Sequence, residues 1–415
     1  DLEKKFGLDR WYEVSYQSGT DMDEGVKLLA ASESVQTVQY SITYTKSSDC
    51  KAFPYSIQPE KVLMTASGKF NDPALKDQRN YKNTGDKNIA TAAYAGADIN
   101  VENVWKEITA GDPSIIVAVV DEGVKYTHPD LAANMWTNPK ESANGNDDDG
   151  NGYIDDIHGF NFVKNGPISW AAEQDSGHGT HCAGIVAAVN NNAEGICGVA
   201  GGSGNGDGVR IMSCQIFDGE KQGSATEAIK WSADHGAVIS QNSWGYTEVT
   251  TAPSSLKSAV DYFIKNAGCD KNGKQRSDSP MKGGIVIFAA GNENQNFSSS
   301  DYDGMVSVSS VGADYKRAYY TNYGSWCDVA APGGDAKKGN QVLSTLPGNK
   351  YGKMQGTSMA CPHVSGIAAL ILARYGGQGY TPDALRKRLE ETVTDISAQN
   401  AGYYLGKGLV NAYKA

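Results

Sequence analysis

Short, continuous runs of apolar residues recur along the chain after residue 95, and stretches with helical spacing separate them. The runs are rich in β-branched residues, which is typical of buried strands. They are Ile115–Val120, Val209–Phe217, Ala237–Ser240, Ile285–Ala289 and Met305–Val311. The helical stretches are His178–Val189, Ser224–His235 and Ser254–Asn266. Strands that are apolar on both faces and alternate with helices predict a doubly wound α/β fold, a mostly parallel sheet with helices on both faces.

The first 65 residues have a different pattern and form a separate unit in our prediction. Trp11–Tyr16 and Val35–Thr45 have the pattern of strands, and Asp21–Ala31 has helical spacing with an acidic first turn. The predicted order is β-α-β. From Ser47 to Gly85 the chain becomes polar and contains prolines, which is typical of a linker or an irregular surface region. We therefore predict a small α+β unit at residues 1–65 and a larger α/β domain at residues 66–415.

Composition and charge narrow the function classes. With 415 residues, the chain has room for two or three domains at roughly 150 residues each. Its 40% hydrophobic and 20% charged residues are typical of a folded globular protein and exclude a disordered or collagen-like chain. The net charge of −11 argues against binding to nucleic acid or anionic membranes. The longest apolar runs have the length of core elements, so we expect no membrane span.

The first residue and the cysteines bear on the compartment. The chain begins at Asp1 without an initiator Met or an apolar leader, which we interpret as the loss of a signal peptide. We therefore expect a secreted, cell-surface or periplasmic protein. The seven cysteines show no CxxC spacing, and their odd number leaves at least one unpaired, so they do not decide the compartment.

Three motifs carry side chains that hydrolytic chemistry uses. Asp121 directly follows an apolar strand in VAVVDEGVKYTHPDL, His178 begins an apolar helix in DSGHGTHCAGIVAAV, and Ser358 begins another in GTSMACPHVSGIAALIL. Each alone has a plain structural alternative, since Asp and Ser at such places commonly cap a turn or a helix. A zinc site at His178 and His181 is disfavoured, because the helix lacks the Glu of the H-E-x-x-H motif and an obvious third ligand. Together the residues have the chain order Asp, His, Ser, which is one order of the convergent serine triad.

From about Phe70 to the end of the chain, six ordered motifs resemble those of the subtilisin-like serine peptidases, the subtilases. Besides the three segments above, they are SQNSWGY, AAGNEN and the ending GLVNAYKA. The resemblance implies a seven-stranded parallel sheet, endopeptidase activity on polypeptide substrates and stabilisation by calcium. It assigns Asp121, His178 and Ser358 to the catalytic triad and Asn292 to the oxyanion hole.

The implied roles have chemical reasons. A serine hydroxyl needs a base to accept its proton, and His178 is that base. Asp121 then holds the imidazole and stabilises its cation. The Asn292 amide and the Ser358 backbone N–H supply donors for the negative charge that develops on the scissile carbonyl. We interpret His128 and His181 as packing or hydrogen-bonding groups.

The resemblance also implies a cleft in which an extended peptide pairs with exposed backbone. The expected lining residues are Ser243, Trp244, Gly245, Ala290, Gly291 and Glu293. Glu293 is expected near the pocket for the residue before the scissile bond, where its carboxylate would accept a basic side chain; a solvated charge is the alternative. Glu122 departs from the family, which usually has Thr or Ser after the catalytic Asp. Because adjacent strand residues point to opposite faces, we expect the Glu122 side chain to point away from the triad.

The segment DDDGNGYIDD, residues 147–156, is predicted to bind a cation. Its spacing follows the EF-hand loop, but position 12 is His158 instead of the bidentate Glu, and Asp156 is the candidate replacement. The expected ligands are Asp147, Asp149, Asn151, Tyr153, Asp155 and Asp156. Five carboxylates in ten residues repel one another without a cation, although an acidic surface loop is the alternative. We predict a structural Ca²⁺ that contributes stability and no chemistry.

Two cysteines have the spacing to share helix faces with the triad. Cys182 follows His178 by four residues and Cys361 follows Ser358 by three, so both thiols are predicted beside the catalytic residues. We interpret them as small buried apolar groups, with a redox role as the alternative.

The N-terminal unit resembles, in pattern and position, the prodomain that assists folding of subtilases and blocks their cleft. We expect the tail around Tyr55–Phe70 to lie nearest the active site, and a permanent accessory domain is the alternative. Two further hypotheses remain for the whole chain: a catalytically silent subtilase-fold protein that binds peptides, and a calcium-dependent surface module.

Overall fold

The computed structural model describes residues 2–15, 19, 21–46, 51–57, 70–88, 90–170, 177–246 and 249–415. Its helices are α1 (Leu2–Phe6), α2 (Met22–Ala30), α3 (Glu102–Glu107), α4 (His178–Ala187), α5 (Ala225–Asp234), α6 (Ser254–Asn266), α7 (Thr357–Tyr375) and α8 (Pro382–Glu391). Its strands are β1 (Tyr44–Lys46), β2 (Phe53–Tyr55), β3 (Ile116–Glu122), β4 (Gly159–Asn161), β5 (Arg210–Asp218), β6 (Lys221–Gln222), β7 (Ile239–Asn242), β8 (Trp244–Tyr246), β9 (Ile285–Ala289), β10 (Met305–Val311), β11 (Val329–Pro332), β12 (Val342–Leu346) and β13 (Lys350–Met354). None of the helices in these ranges combines the length and the apolar character that crossing a membrane requires.

Seven parallel strands form the central sheet, in the order β11-β10-β9-β7-β3-β5-β4. The short β6 pairs with β5 in the antiparallel direction. On β3, Val117 and Val119 belong to the core that contains α4 and α7, whereas Ala118 and Val120 belong to the core that contains α5 and α6. Because successive strand side chains point to opposite faces, helices cover both faces of the sheet. The prediction of a doubly wound, seven-stranded α/β fold is confirmed.

The boundaries of several elements agree with the apolar pattern. β9, β10 and α6 begin and end at the predicted residues. β3 begins one residue later than predicted and continues past the apolar run to Glu122. Burial explains the agreement, since every residue of β9 and β10 is buried and the apolar run therefore coincides with the strand.

The N-terminal segment differs from its prediction. The helix is confirmed as α2, and the Asp21 carboxylate caps it by accepting a hydrogen bond from the Asp23 backbone N–H at 2.9 Å. The strand predictions are wrong for residues 11–15 and 35–43, which form no strand in this structure. Tyr12 and Val14 are largely exposed, so no core lies against which an alternating strand could pack. Residue 16 lies outside the described residues.

Two short strands of the N-terminal segment join sheets of the α/β domain. β1 pairs with β8 in the antiparallel direction, and β2 joins β13 and β12 in a three-stranded antiparallel sheet. The tail that we expected nearest the active site is therefore represented by β2 on β13, while its residues 58–69 lie outside the described part. The domain boundary near residue 65 stays a prediction.

Candidate active site

The carboxylate of Asp121 and the imidazole of His178 meet at the carboxyl end of β3. Asp121 Oδ1 lies 2.8 Å from His178 Nδ1, and both side chains are fully buried. α4 starts at His178 after Gly177, whose φ of 77° favours glycine and whose place leaves no room for a side chain beside Pro347. A carboxylate at Nδ1 keeps a proton on that nitrogen, so Nε2 is the ring atom that can accept a proton from a reacting group.

Ser358 lies at the N-terminus of α7, as its second residue. Its hydroxyl donates a hydrogen bond to the Ser243 carbonyl at 3.1 Å, and the Ser243 hydroxyl donates to the Ser358 carbonyl at 2.8 Å. The Cys182 thiol of α4 donates to the same Ser358 carbonyl at 3.4 Å. Ligand atoms of Cys182, Asp121 and His178 lie within 4.8 Å of one another. The packing of α4 on α7 therefore brings the three predicted triad residues to one edge of the sheet.

The side-chain amide of Asn292 is oriented by the start of α7. Its Oδ1 accepts hydrogen bonds from the Thr357 backbone N–H at 2.8 Å and from the Thr357 hydroxyl at 3.0 Å. The position that a Cβ on Gly356 would take is 3.5 Å from Asn292 Nδ2 and also 3.5 Å from the Ser358 backbone nitrogen. Two N–H donors thus border one space beside the Ser358 side chain. Such a pair can stabilise an oxygen that acquires negative charge.

Asn322 organises the loop that carries the predicted residues after β9. Its Nδ2 donates to the Ala290 carbonyl at 3.1 Å and to Glu293 Oε2 at 2.7 Å, and its Oδ1 accepts from the Glu293 backbone N–H at 3.0 Å. A side chain at Gly291, where φ is 102°, would collide with the Asn322 amide. Glu293 itself is exposed. Sequence reasoning did not identify Asn322, because an Asn in a polar loop carries no motif signal.

The predicted cleft segment Ser243–Gly245 presents its backbone to another strand. In the β1–β8 pair, Lys46 lies opposite Trp244 and Thr45 lies opposite Gly245. Ser243 precedes this pair and contacts Ser358 as described above. The edge of β8 next to the serine therefore accepts an extended chain, which is how a peptide adds to an exposed sheet edge.

Glu122 does not point away from the triad, and that expectation is wrong. Its Oε2 accepts a hydrogen bond from the His178 backbone N–H at 2.8 Å. The reason is an irregularity of β3, whose register on β5 shifts between Asp121 and Glu122, so the regular alternation of side chains does not extend past Asp121. Glu122 Oε1 forms an ion pair with the Lys46 ammonium of β1.

Comparison with known proteins shows which family has these features. The Subtilase family matches residues 112–408 of the chain. The chain belongs to the Subtilase family. A thermophilic serine proteinase from Bacillus sp. (strain AK1) is 33% identical over 331 residues, which cover 78% of this chain and 67% of that protein. Thermitase from Thermoactinomyces vulgaris is 32% identical over 335 residues, which cover 80% of this chain and 98% of thermitase.

Solved structures agree with the assignment to the subtilases. A protease of Pseudoalteromonas arctica PAMC 21717 has a TM-score of 0.58 at 29% identity and covers 83% of this chain and 98% of its own. The serine protease of Aeromonas sobria has a TM-score of 0.63 at 19% identity, with 88% of this chain and 70% of its own covered, and supports the fold alone. This subtilase is a subtilisin-like serine protease, and the predicted family, fold and enzyme class are confirmed.

The acidic loop of the subtilase brings three carboxylates together. Carboxylate oxygens of Asp147, Asp149 and Glu141 lie within 4.8 Å of one another. The Asn151 backbone N–H donates to Asp147 Oδ1 and to Asp149 Oδ1, each at 3.1 Å. Oxygen donors of this kind are the ligands that Ca²⁺ prefers. Glu141 lies before the EF-hand-like spacing, so sequence reasoning did not find it.

The other predicted ligands of this loop have different contacts. The Asp155 carboxylate accepts hydrogen bonds from the backbone N–H groups of residues 144 and 145 at 3.0 and 3.1 Å. Asp156 is fully buried, and its Oδ1 accepts from the Asn138 amide at 2.7 Å. The Tyr153 ring packs against the core on the α5 side of the sheet. The structure thus groups Asp147 and Asp149 with Glu141, while these three side chains surround that group.

Both predicted thiols are buried at the catalytic edge. Cys182 contacts the Ser358 carbonyl as described above, and the Cys361 thiol lies 3.5 Å from the Asn242 carbonyl. Burial raises the pKa of Cys361 to about 12, so this thiol is uncharged at neutral pH. The structure therefore agrees with the interpretation of Cys361 as a small apolar group.

Three histidines outside the triad are buried and hydrogen-bonded. Burial lowers the pKa of His128 to about 4, that of His181 to about 3 and that of His363 to about 4. His363 Nδ1 lies 2.7 Å from the Met359 carbonyl and its Nε2 lies 2.7 Å from the Asn80 amide. Neutral rings in such contacts serve packing, as interpreted for His128 and His181.

Proposed function

We propose that this subtilase is an endopeptidase that cleaves internal peptide bonds of polypeptides through an acyl-enzyme. Asp121, His178 and Ser358 are the catalytic triad, and Asn292 is the side-chain donor of the oxyanion hole. The observation that carries the proposal is the buried Asp121–His178 pair beside a serine at a helix N-terminus. That arrangement activates a hydroxyl and supplies donors for the charge that the reaction creates.

The reaction follows from these positions. Ser358 Oγ attacks the scissile carbonyl carbon while His178 Nε2 takes the hydroxyl proton, and Asp121 stabilises the imidazolium without taking a proton itself. The carbonyl oxygen becomes an anion between Asn292 Nδ2 and the Ser358 backbone N–H. The C–N bond then breaks, and His178 gives its proton to the leaving amine. Water, deprotonated by His178, hydrolyses the ester and restores the Ser358 hydroxyl.

The test is product analysis on an unfolded protein substrate. We expect the wild-type enzyme to release internal fragments that mass spectrometry maps to several sites, and Ser358→Ala to release none. Fragments from the chain ends only would contradict endopeptidase activity. Equal fragments from both proteins would show that another residue or a contaminant is responsible. A silent, peptide-binding subtilase fold predicts binding of the substrate without cleavage by either protein.

We also propose that the N-terminal unit is an intramolecular inhibitor of the prodomain type. The support is β1, which pairs with the cleft strand β8. Tyr44 anchors β1 in an aromatic group, with its ring centroid 4.9 Å from Trp244 and 5.3 Å from Phe217. The Tyr44 backbone also exchanges hydrogen bonds with the Gln222 side chain, so β1 is held on both sides. A chain held in this way excludes a substrate from the same edge.

The full-length chain tests this proposal. Incubation with calcium is expected to remove an N-terminal fragment from the wild type, seen as a lower intact mass, while Ser358→Ala keeps the full mass. Tyr44→Ala is expected to shorten the lag before activity appears, because the strand loses its aromatic anchor, whereas Tyr12→Ala at an exposed position leaves the lag unchanged. Full activity at full mass would indicate a permanent accessory domain instead.

The acidic loop is proposed to hold a structural Ca²⁺, with Asp147, Asp149 and Glu141 as carboxylate ligands. The fit rests on the donor set, three carboxylates whose oxygens lie within 4.8 Å of one another. Bound calcium supplies positive charge that offsets the mutual repulsion of the carboxylates, and it stabilises the folded state because it binds that state preferentially. A calcium-dependent surface module is the alternative, and it predicts loss of adhesion without loss of proteolysis on chelation.

We propose further that the enzyme acts outside the cytoplasm, in the medium, in the periplasm or at the cell surface. A protease whose cleft is covered by its own N-terminal strand can be synthesised and moved before it becomes active. Fractionation of the producing cells with an antibody to the chain tests this. Recovery of the mature form from the cytosol of unlysed cells would contradict it.

A further inference from the structure

We propose that Glu122 makes this protease selective for a basic side chain, Lys or Arg, at the second residue before the cleaved bond. This inference rests on the proposed endopeptidase function and adds a substrate class to it. Its basis is the contact between Glu122 and Lys46, together with the position of Lys46 on the strand that occupies the cleft.

Lys46 is the last residue of β1, and its ammonium forms an ion pair with Glu122 Oε1. The Glu122 side chain is 2% exposed and that of Lys46 is 25% exposed. The pair therefore joins a buried carboxylate of the catalytic domain to a half-buried cation on the segment lying in the cleft. Glu122 Oε2 is held by the His178 backbone N–H at 2.8 Å, which fixes the carboxylate.

The register of β1 indicates which substrate residue would take the place of Lys46. Lys46 lies opposite Trp244 in the antiparallel pair, and the residue before Trp244 is Ser243. Ser358 Oγ lies 3.1 Å from the Ser243 carbonyl, so the residue of a bound strand opposite Ser243 is the one that meets the nucleophile. A substrate in the same register therefore places the preceding residue, the second before the scissile bond, at the position of Lys46.

Charge determines which side chain this position prefers. A buried carboxylate without a cation is costly, because water no longer solvates it. Once β1 leaves the cleft, a Lys or Arg of the substrate can restore the ion pair with Glu122, whereas a neutral side chain cannot. A substrate Asp or Glu at this position would face both Glu122 and the neighbouring carboxylate of Asp121, and like charges in a buried site repel.

The reason for the position of Glu122 is local. The shift of register between Asp121 and Glu122 turns the second carboxylate toward α4 and the cleft instead of toward the opposite face. The residue that departs from the usual Thr or Ser after the catalytic Asp is thus the one that contacts the cation on β1. By contrast, Glu293 is exposed and its carboxylate bonds to Asn322.

The experiment uses the full chain after incubation with calcium until its intact mass is constant. Three fluorogenic peptides differ only at the second residue before the cleaved bond, which is Lys, norleucine or Glu. We expect kcat/KM for the Lys peptide to exceed that for the norleucine peptide by about tenfold or more, and the Glu peptide to be the poorest. Norleucine keeps the aliphatic stem of Lys, so this ratio isolates the charge.

The selectivity ratio is then measured in two variants. Glu122→Gln keeps an oxygen that can accept from the His178 N–H but removes the charge, and its Lys-to-norleucine ratio is expected to fall to about one. Glu391→Gln removes one charge from the exposed end of α8, and its ratio is expected to equal that of the wild type. Each ratio is internal to one enzyme, so a change of overall activity does not affect it.

The outcomes separate this inference from the proposed function. Equal cleavage of the Lys and norleucine peptides by the wild type would overturn the selectivity, while leaving the endopeptidase intact. An unchanged ratio in Glu122→Gln would show that another group selects the cation, and would also overturn it. If Glu122→Gln does not fold, the wild-type series still decides. Cleavage of none of the peptides, with no labelling of Ser358 by a fluorophosphonate, would mean that the proposed function itself fails.

Discussion

The catalytic edge, formed by Asp121, His178, Asn292 and Ser358, and the acidic loop, residues 147–156 with Glu141, are built in opposite ways. At the catalytic edge each side chain comes from a different element and is positioned by contacts between residues far apart in the chain. In the acidic loop the carboxylates mostly accept hydrogen bonds from nearby backbone N–H groups. The edge therefore depends on the whole fold, whereas the loop can be disturbed without moving the catalytic residues.

The comparison predicts that the edge governs turnover. His178→Ala is expected to lower kcat by roughly 10⁶-fold, the order found when the corresponding residue of subtilisin is removed. The reason is that no other group in this arrangement can take the Ser358 proton at Nε2. Steady-state kinetics on a peptide substrate measure the effect, and circular dichroism checks the fold. A loss of less than about tenfold in a folded protein would exclude His178 as the base.

Asn292→Ala is expected to have a smaller effect on turnover. Loss of one oxyanion donor costs roughly 10²–10³ in kcat, a magnitude established in subtilisin. The Ser358 backbone N–H remains as the second donor, so KM should change much less than kcat. Asn294→Ala, at an exposed neighbouring position, is the matched control and should keep the wild-type kcat. A change confined to KM would show that Asn292 binds substrate without stabilising the transition state.

Stability on the side of the sheet that carries α7 is expected to decrease in acid through His363. Its folded-state pKa of about 4 is below the ordinary value, so the unfolded chain binds a proton that the folded chain does not. The stabilisation is therefore complete above pH 6.5 and is lost as the pH falls toward 4, by about 3 kcal/mol in the free energy of unfolding. Denaturant unfolding of the wild type and His363→Gln at both pH values measures the difference.

Asp130 supplies a control of opposite sign. Burial raises the pKa of this carboxyl to about 7, so the folded chain holds a proton that the unfolded chain has lost. Its contribution to stability falls as the pH rises from 4 to 7, and Asp130→Asn should remove that slope. Parallel pH profiles for the wild type and His363→Gln would contradict the neutral, buried His363.

Chelation is expected to affect the acidic loop and to spare the chemistry of the edge. Removal of calcium lowers the free energy of unfolding by about 3 kcal/mol if the ion had been present at 100 times its dissociation constant. Thermal unfolding with and without excess chelator measures the shift. Asp147→Asn should reduce the shift, whereas Asp278→Asn, a surface carboxylate whose side chain is 74% exposed, should keep it. An unchanged melting temperature on chelation would contradict the calcium site.

The smallest expected effect concerns the thiols of the edge. A mercurial should inactivate the enzyme, because a bulky group on Cys182 would displace the Ser358 backbone that this thiol contacts at 3.4 Å. Cys182→Ala should be active within severalfold of the wild type and resistant to the reagent. Full sensitivity of Cys182→Ala would transfer the effect to Cys361. Insensitivity of the wild type would show that neither thiol is accessible.

The two regions also differ in how far the sequence predicts them. The apolar runs predicted β9, β10 and α6 to the residue, because strands and helices buried in a doubly wound fold leave a clear pattern. The side chains around the catalytic edge followed from motifs at strand ends and helix starts. Asn322 and Glu141 escaped prediction, since each acts through contacts with residues distant in sequence or outside a known spacing.

Two errors have physical reasons of the same kind. Glu122 was expected on the opposite face, but the register shift after Asp121 breaks the alternation on which that argument relies. The strands expected at residues 11–15 and 35–43 are absent, because a short alternating pattern specifies a strand only where a core receives one of its faces. Local pattern thus predicts elements well where burial is complete and poorly where it is not.

The central claim is that Asp121 and His178 activate Ser358. Intact mass after reaction with a fluorophosphonate, followed by peptide mapping, tests it most directly, with Ser358→Ala and Asp121→Asn measured alongside the wild type after incubation with calcium. The account predicts one adduct per chain on Ser358 in the wild type, none in Ser358→Ala and much slower labelling in Asp121→Asn. An adduct on another residue, or equal labelling of the wild type and Asp121→Asn, would contradict it.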